Sequence, residues 1–307
     1  MPRRRLTGFV AAAALAGAGA VGAPVADAAT ARDGSLALAT GGQFVLQPVG
    51  GGSARRAAGP GVSIVGTSRG GGLVALSSGA GGDVTITTPG GRVIRRFAFG
   101  GIVVHSLDIS PDGRTLALTA FRNAEPYPGH LFPYLARVDG RDLRRLRTRT
   151  RFVYDLRFTP DGGSLVYAGA PSAGTQVGCA SLRRVRADGA ADAAVYPAGR
   201  TPGRPCVVTL ALSPGGDGAA FTGDPDPARP SPDGAVRTAA YRVRLSGPSI
   251  PALVQRAAYA VAWAPGGGRI AFSTPAGTFY AASSGTPRPV LVSPLSTLSL
   301  AWLRRAG

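Results

Sequence analysis

Few side chains in this sequence have both the type and the spacing that chemistry requires. Gly66-Thr-Ser-Arg-Gly70 matches the Gly-x-Ser-x-Gly elbow that presents a nucleophilic serine. That chemistry needs a strand-turn-helix setting with a histidine and an acid close to Ser68. Here the flanking residues read as a hairpin, so no catalytic role is expected. Only 2 histidines, His105 and His130, occur in 307 residues. Histidine-rich metal centres are therefore not expected. Asp224, Asp226 and Asp233 offer carboxylate oxygen of the kind calcium prefers. The prolines between them fit no calcium loop, and the segment reads as a solvated acidic loop. Gly17-Ala-Gly-Ala-Val-Gly22 matches a dinucleotide-binding pattern but lies in the apolar leader, where it has no such meaning. No metal or cofactor is expected.

Cys179 and Cys206 are the two cysteines of the chain. Two thiols with no histidine nearby make a poor zinc site, and a single disulfide is the better reading in an oxidising compartment. The first residues point to that compartment. Arg3, Arg4 and Arg5 precede an apolar stretch from Gly8 to about Val25, and Ala26-Asp-Ala28 supplies a small-residue cleavage site. That order predicts a signal peptide over residues 1–28, leaving 29–307 as one secreted, extracytoplasmic domain. No later segment has the ~18 unbroken apolar residues of a membrane helix, so no span is expected.

The formal charge of +18 invites a nucleic-acid reading. A nucleic-acid face would normally mix lysine with arginine and cluster them with aromatics, whereas every basic residue here is arginine. With 46 glycines and 26 prolines beside abundant alanine, the arginine reads as compositional bias, and nucleic acid is not an expected partner. The run Arg144–Arg151 is read as charge that protects an edge strand.

The elements that would position any site announce themselves by repetition. "LDISPDGRTLALTA" at 107 returns as "LRFTPDGGSLVYAG" at 156, "LALSPGGDGAAFTG" at 210 and "VAWAPGGGRIAFST" at 261. Apolar residues alternate before each proline, which is the period of a strand. Proline then presets φ for a tight turn, glycine takes the left-handed position, and a second strand follows. Each unit continues with another hairpin, such as "YLARVDGRDLRRL". Four hairpin-linked strands in a repeat of about 50 residues make a propeller blade.

Two more units complete the pattern. Residues 62–101 form a blade whose Pro-Asp turn has eroded. The last is split: 295–307 supplies a first strand and 32–60 the other three, which removes the open sheet edges. The expected fold is all-β, a six-bladed β-propeller of four-stranded antiparallel blades at about 62–101, 102–150, 151–200, 201–257, 258–294 and 295–307 with 32–60.

The Ser/Thr-Pro-Asp-Gly hairpins at 110–113 and 159–162 resemble those of the TolB-type, WD-repeat-like propellers, over essentially the whole mature chain. The α/β domain that precedes the propeller in that family is not expected here, since the first strand is read as beginning near Ser35. The resemblance implies a protein-binding platform.

Counting six residues back from the turn proline gives a ring of Val62, His105, Tyr154, Val208, Tyr259 and Leu298. The next position gives Ser63, Ser106, Asp155, Thr209, Ala260 and Ser299. Both rings surround the channel mouth opposite the proline turns. The connections between second and third strands emerge on the same face, and they are long and proline-stiffened in blades two, three and four. Binding is expected there through His105, Arg122, Tyr127, His130, Phe132, Tyr154, Asp155 and Tyr259, with Cys179–Cys206 tying two loops. The expected function is a monomeric, non-enzymatic scaffold for a protein or cell-envelope component. The alternative is a hydrolase or lyase of a small metabolite at the channel mouth.

Overall fold

The computed structural model describes residues 34–304 except 59–60, 69–71, 79–81, 123–129, 174–175, 178, 199–203, 226–237 and 248–249. The leader, Tyr127, Asp226, Asp233 and the turn at 231–234 lie outside the described residues. Six four-stranded antiparallel sheets are present among the described residues. The innermost strands are Ile64–Thr67, Ile102–Ile109, Phe152–Phe158, Cys206–Leu212, Ala260–Trp263 and Ser299–Leu303, for blades one to six. Each touches the next in cyclic order, and the strand of blade six touches that of blade one. The ring is closed by strand pairing across the termini: Ser35 pairs with Leu303 and Ala39 with Ser299.

Side chains alternate across each strand, and both faces of every blade are covered. Leu36 and Leu38 point to the seam between blades five and six, while Ala37 and Ala39 point to the seam between six and one. The core is thus six separate seams, one between each pair of neighbours. Fully burying a Leu or Phe contributes about 1.5–3 kcal/mol, so the ring is held by the sum of these seams.

The recurring turn has a local and a long-range reason. The Gly113 amide donates to the Ser110 carbonyl at 2.9 Å, and the Ser110 hydroxyl donates to Asp112 at 2.6 Å. Thr159 and Asp161 repeat this at 2.6 Å. These hydrogen bonds hold the carboxyls of Asp112 and Asp161 below the usual range. The turn glycine also nests against the turn proline of the preceding blade. A Cβ on Gly216, at φ +76°, would lie 2.6 Å from the Pro160 ring. Proline and glycine therefore recur together because one blade's turn packs on the next.

In one blade the sequence alignment slips by a residue. The Ser68 amide and hydroxyl meet Leu73 as those of Ser110 meet Thr115, making Ser68 the counterpart of Ser110. Ser63, not Val62, therefore corresponds to His105, and Ile64 to Ser106. Ser68 lies in this hairpin, and the element that follows it among the described residues is the strand Val74–Ser77, not a helix.

Candidate functional site

The two ends of the propeller axis differ. At the end where the inner strands begin, blades two, three and four each carry a β-bulge, between Val104 and Ser106, Val153 and Asp155, and Val207 and Thr209. The extra residues are His105, Tyr154 and Val208. A bulge re-aims a side chain, and here three adjacent blades re-aim the residue that faces the mouth. His105 Nδ1 lies 3.0 Å from the Tyr154 carbonyl. A carbonyl only accepts, so Nδ1 carries the proton. Burial lowers the histidine's pKa, opposed by the Asp155 charge and that carbonyl.

Asp155 sits beneath them at 3% exposure, with both carboxylate oxygens hydrogen-bonded. Its Oδ1 accepts from Ser106 Oγ at 2.7 Å, the Leu156 amide at 2.9 Å and an Arg157 amino group at 2.5 Å. Its Oδ2 accepts from the Leu210 amide of blade four at 2.8 Å. Asp155 thus joins three blades and positions its neighbours. Tyr259 is 36% exposed at the same mouth, on the far side of the ring.

The outer part of this face belongs to blade two. Arg122 is exposed at the end of Thr115–Arg122. His130 stacks on Phe132 with ring centroids 5.5 Å apart, and the Arg145 guanidinium caps the other contact at 3.5 Å from the Phe132 centroid. Leu131, between the two in sequence, belongs to a buried cluster with Phe152, Ala170 and Ala180, against which Phe121 and Tyr154 pack. Cys179 and Cys206 form a disulfide with Cα atoms 5.0 Å apart, fastening the segment before Ser181–Arg186 to the inner strand of blade four. A small extra hairpin, Ser172–Ala173 with Gln176–Val177, stands beside it. The structure therefore gathers His105, Tyr154 and Asp155 in one contact set and His130 with Phe132 in another.

The opposite end holds a cavity that sequence reasoning passed over. It measures about 130 Å³ and is lined from all six inner strands. Two residues before each hairpin's first turn position, the lining reads Gly66, Asp108, Arg157, Ala211, Ala262 and Ala301. Small side chains on four strands leave the space, and the charged pair occupies one wall. Glycine is required at 66, because a Cβ would lie 2.6 Å from the Leu107 carbonyl oxygen of blade two. Asp108 accepts the Phe158 amide at 2.7 Å. Burial raises its pKa to about 7, against the pull of Arg157. Arg157 spends one amino group on Asp155 and the Leu156 carbonyl. Among the described residues its Nε and other amino nitrogen meet no acceptor. Arg304 and the turn prolines Pro111, Pro214 and Pro265 frame the entrance. The same repeat alignment, read two positions before the turn, would have exposed this ring. Among the described residues no group of three His, Cys, Asp or Glu side chains comes together as a metal site needs, and no helix is long and apolar enough to cross a membrane.

Neither a family model nor a curated protein matches the sequence. Solved structures do match the fold. TolB from Acinetobacter baumannii superposes with a TM-score of 0.64 at 16% identity, over 89% of this chain and 67% of that one. The β-propeller domain of Cps50 (Swd1) from Myceliophteria thermophila gives 0.52 at 15% identity, over 88% and 84%. Kuenenia stuttgartiensis hydrazine synthase gives 0.51 at 14% identity, over 75% and 65%. At these identities the likeness is one of architecture, and it agrees with the resemblance carried by the Pro-Asp-Gly hairpins: the chain is a six-bladed β-propeller similar in fold to TolB.

Proposed function

We propose that this protein is an extracytoplasmic, non-enzymatic scaffold that binds a protein or cell-envelope component through the loop-bearing face of blades two to four. One observation carries the reading. Bulges, the longer strand connections, the extra hairpin and the disulfide all fall on one face of three consecutive blades. Structural economy alone gives no reason for that concentration, because blades five, six and one complete the ring with short connections. A fastened, aromatic-bearing rim suits recognition, where arginine and aromatic anchors dominate binding energy. The leader-like first residues and the disulfide support export.

The test uses the mature chain immobilised against envelope extract. Wild type and an opposite-face control, Arg114→Ala at the exposed position beside the Pro111 turn, should retain the same partner. A rim variant combining Tyr127→Ala, His130→Ala and Phe132→Ala should lose it by tenfold or more. Equal recovery from the rim variant would remove this face from consideration. Metal analysis of the purified protein addresses the hydrolase or lyase alternative, which a stoichiometric divalent ion would revive.

A further inference from the structure

The axial cavity lies at the proline-turn end, at the opposite ends of the inner strands from the proposed recognition rim. Its lining combines an apolar floor with two positive charges. Ala211, Ala262 and Ala301 form an apolar floor on blades four, five and six. Arg157 presents unspent donors from blade three, on a side chain with 22% of its surface still accessible. Arg304, exposed at the entrance, adds a second positive charge. The charges facing Asp108 are Arg157 and Asp155, both from blade three. One of the two carboxyls, Asp155, already neutralises part of Arg157. The other, with its pKa near 7, is protonated in mildly acidic solution and then offers an O–H instead of a repelling charge.

We propose that this cavity binds a short monocarboxylate, with its carboxylate on Arg157 and its apolar tail against Ala211, Ala262 and Ala301. A planar guanidinium with two adjacent free donors matches a carboxylate in a way a point charge does not. Size sets the limit. An apolar cavity of about 150 Å³ takes benzene, so 130 Å³ admits a ligand of about six heavy atoms, such as butyrate. The overall charge of +18 draws anions toward the entrance.

The experiment is calorimetric titration of the mature chain with sodium butyrate, butyramide and inorganic phosphate at pH 6 and pH 8. Saturable millimolar binding of butyrate is expected, at least tenfold tighter than butyramide and phosphate, and severalfold weaker at pH 8. Arg157→Gln should lower affinity by tenfold or more. Arg157 also holds Asp155, so two further variants separate folding from binding. Arg304→Gln, at an exposed position, should weaken binding about threefold. Ala262→Leu should abolish it while the circular dichroism spectrum is retained. No saturable binding of butyrate by the wild type would overturn the proposal. So would equal binding of butyramide, or tighter binding of phosphate. Rim variants should leave butyrate binding unchanged, so this proposal and the scaffold reading fail independently.

Discussion

The two halves of the ring are joined by different chemistry. Blades two, three and four are linked by carboxylates and a covalent bond. Asp108 reaches the Phe158 amide, Asp155 reaches Ser106 and the Leu210 amide, and Cys179 is bonded to Cys206. Blades five, six and one are linked by neutral hydroxyls. Ser299 Oγ accepts the Val65 amide at 3.0 Å between blades six and one, and Ser273 Oγ accepts the Thr297 amide at 2.8 Å between blades five and six. Both halves satisfy buried amides, yet only one does so with groups that titrate or that can be reduced. The half with the elaborated face is the one whose seams respond to pH and redox state.

The largest test of that contrast is Asp155→Ala. It removes the acceptor for three blades and leaves Arg157 partly buried without its partner, a change that costs about 3–5 kcal/mol when a buried pair is broken. Urea unfolding of wild type and variant measures it. A loss below about 1 kcal/mol would show that the seams carry the ring without the carboxylates.

Next comes the disulfide. It closes a segment with a sequence separation of 27, which constrains the unfolded chain by roughly 3–4 kcal/mol. The double variant Cys179→Ser with Cys206→Ser should unfold at correspondingly lower urea, and reductant should shift the wild type alone. If reductant moved both equally, the contrast between the halves would lose its redox element.

Asp108 supplies the pH element. Its folded pKa, about 7, is above the value of an exposed aspartate, so between those values the folded state binds more protons than the unfolded one. Stability therefore falls as pH rises from about 4 through 7. Asp112 and Asp161, whose pKa values are lowered, contribute stability that is lost only as pH falls below about 4, outside that window. The informative quantity is thus the difference between wild type and Asp108→Asn. The variant should be the more stable at pH 8, by a few degrees in Tm, and should lose that advantage by pH 5. A difference independent of pH would mean that Asp108 stays ionised in the folded protein.

How far the sequence foretold these features depended on whether they repeat. The inner hairpins were legible because Pro111, Pro160, Pro214 and Pro265 recur with strand alternation before them. The split blade was legible because Arg32-Asp-Gly34 echoes the turn and Trp302 echoes Trp263. The disulfide followed from two cysteines, no histidine near them in sequence, and first residues that read as a leader. What repetition hid was variation within a fixed position. The ring from Gly66 to Ala301 looks like ordinary strand filling until the depth of each residue is known. Blade one slipped by a residue because its turn lacks the proline that anchors the alignment, so the repeat sets Ser68 against Pro111 although its hydrogen bonds make it the counterpart of Ser110. Asp155 was picked out as a polar position at the mouth, but a sequence alone does not show that its oxygens are already taken.

The smallest effect belongs to the hydroxyl-linked half and completes the contrast. Ser299→Ala removes the acceptor for the Val65 amide across the seam between blades six and one. A neutral hydrogen bond is worth about 1 kcal/mol net, with a further cost where the donor is left without water. Ser299 is only half-buried, so solvent can replace part of what is lost. The expected loss is therefore about 1 kcal/mol, severalfold less than for Asp155→Ala, and equal at pH 5 and pH 8 because neither partner titrates. Parallel urea titrations at the two pH values measure both quantities. A loss matching that of Asp155→Ala would make the terminal seam as critical as the loop-bearing one, and would place the ring's dependence on closure rather than on charge.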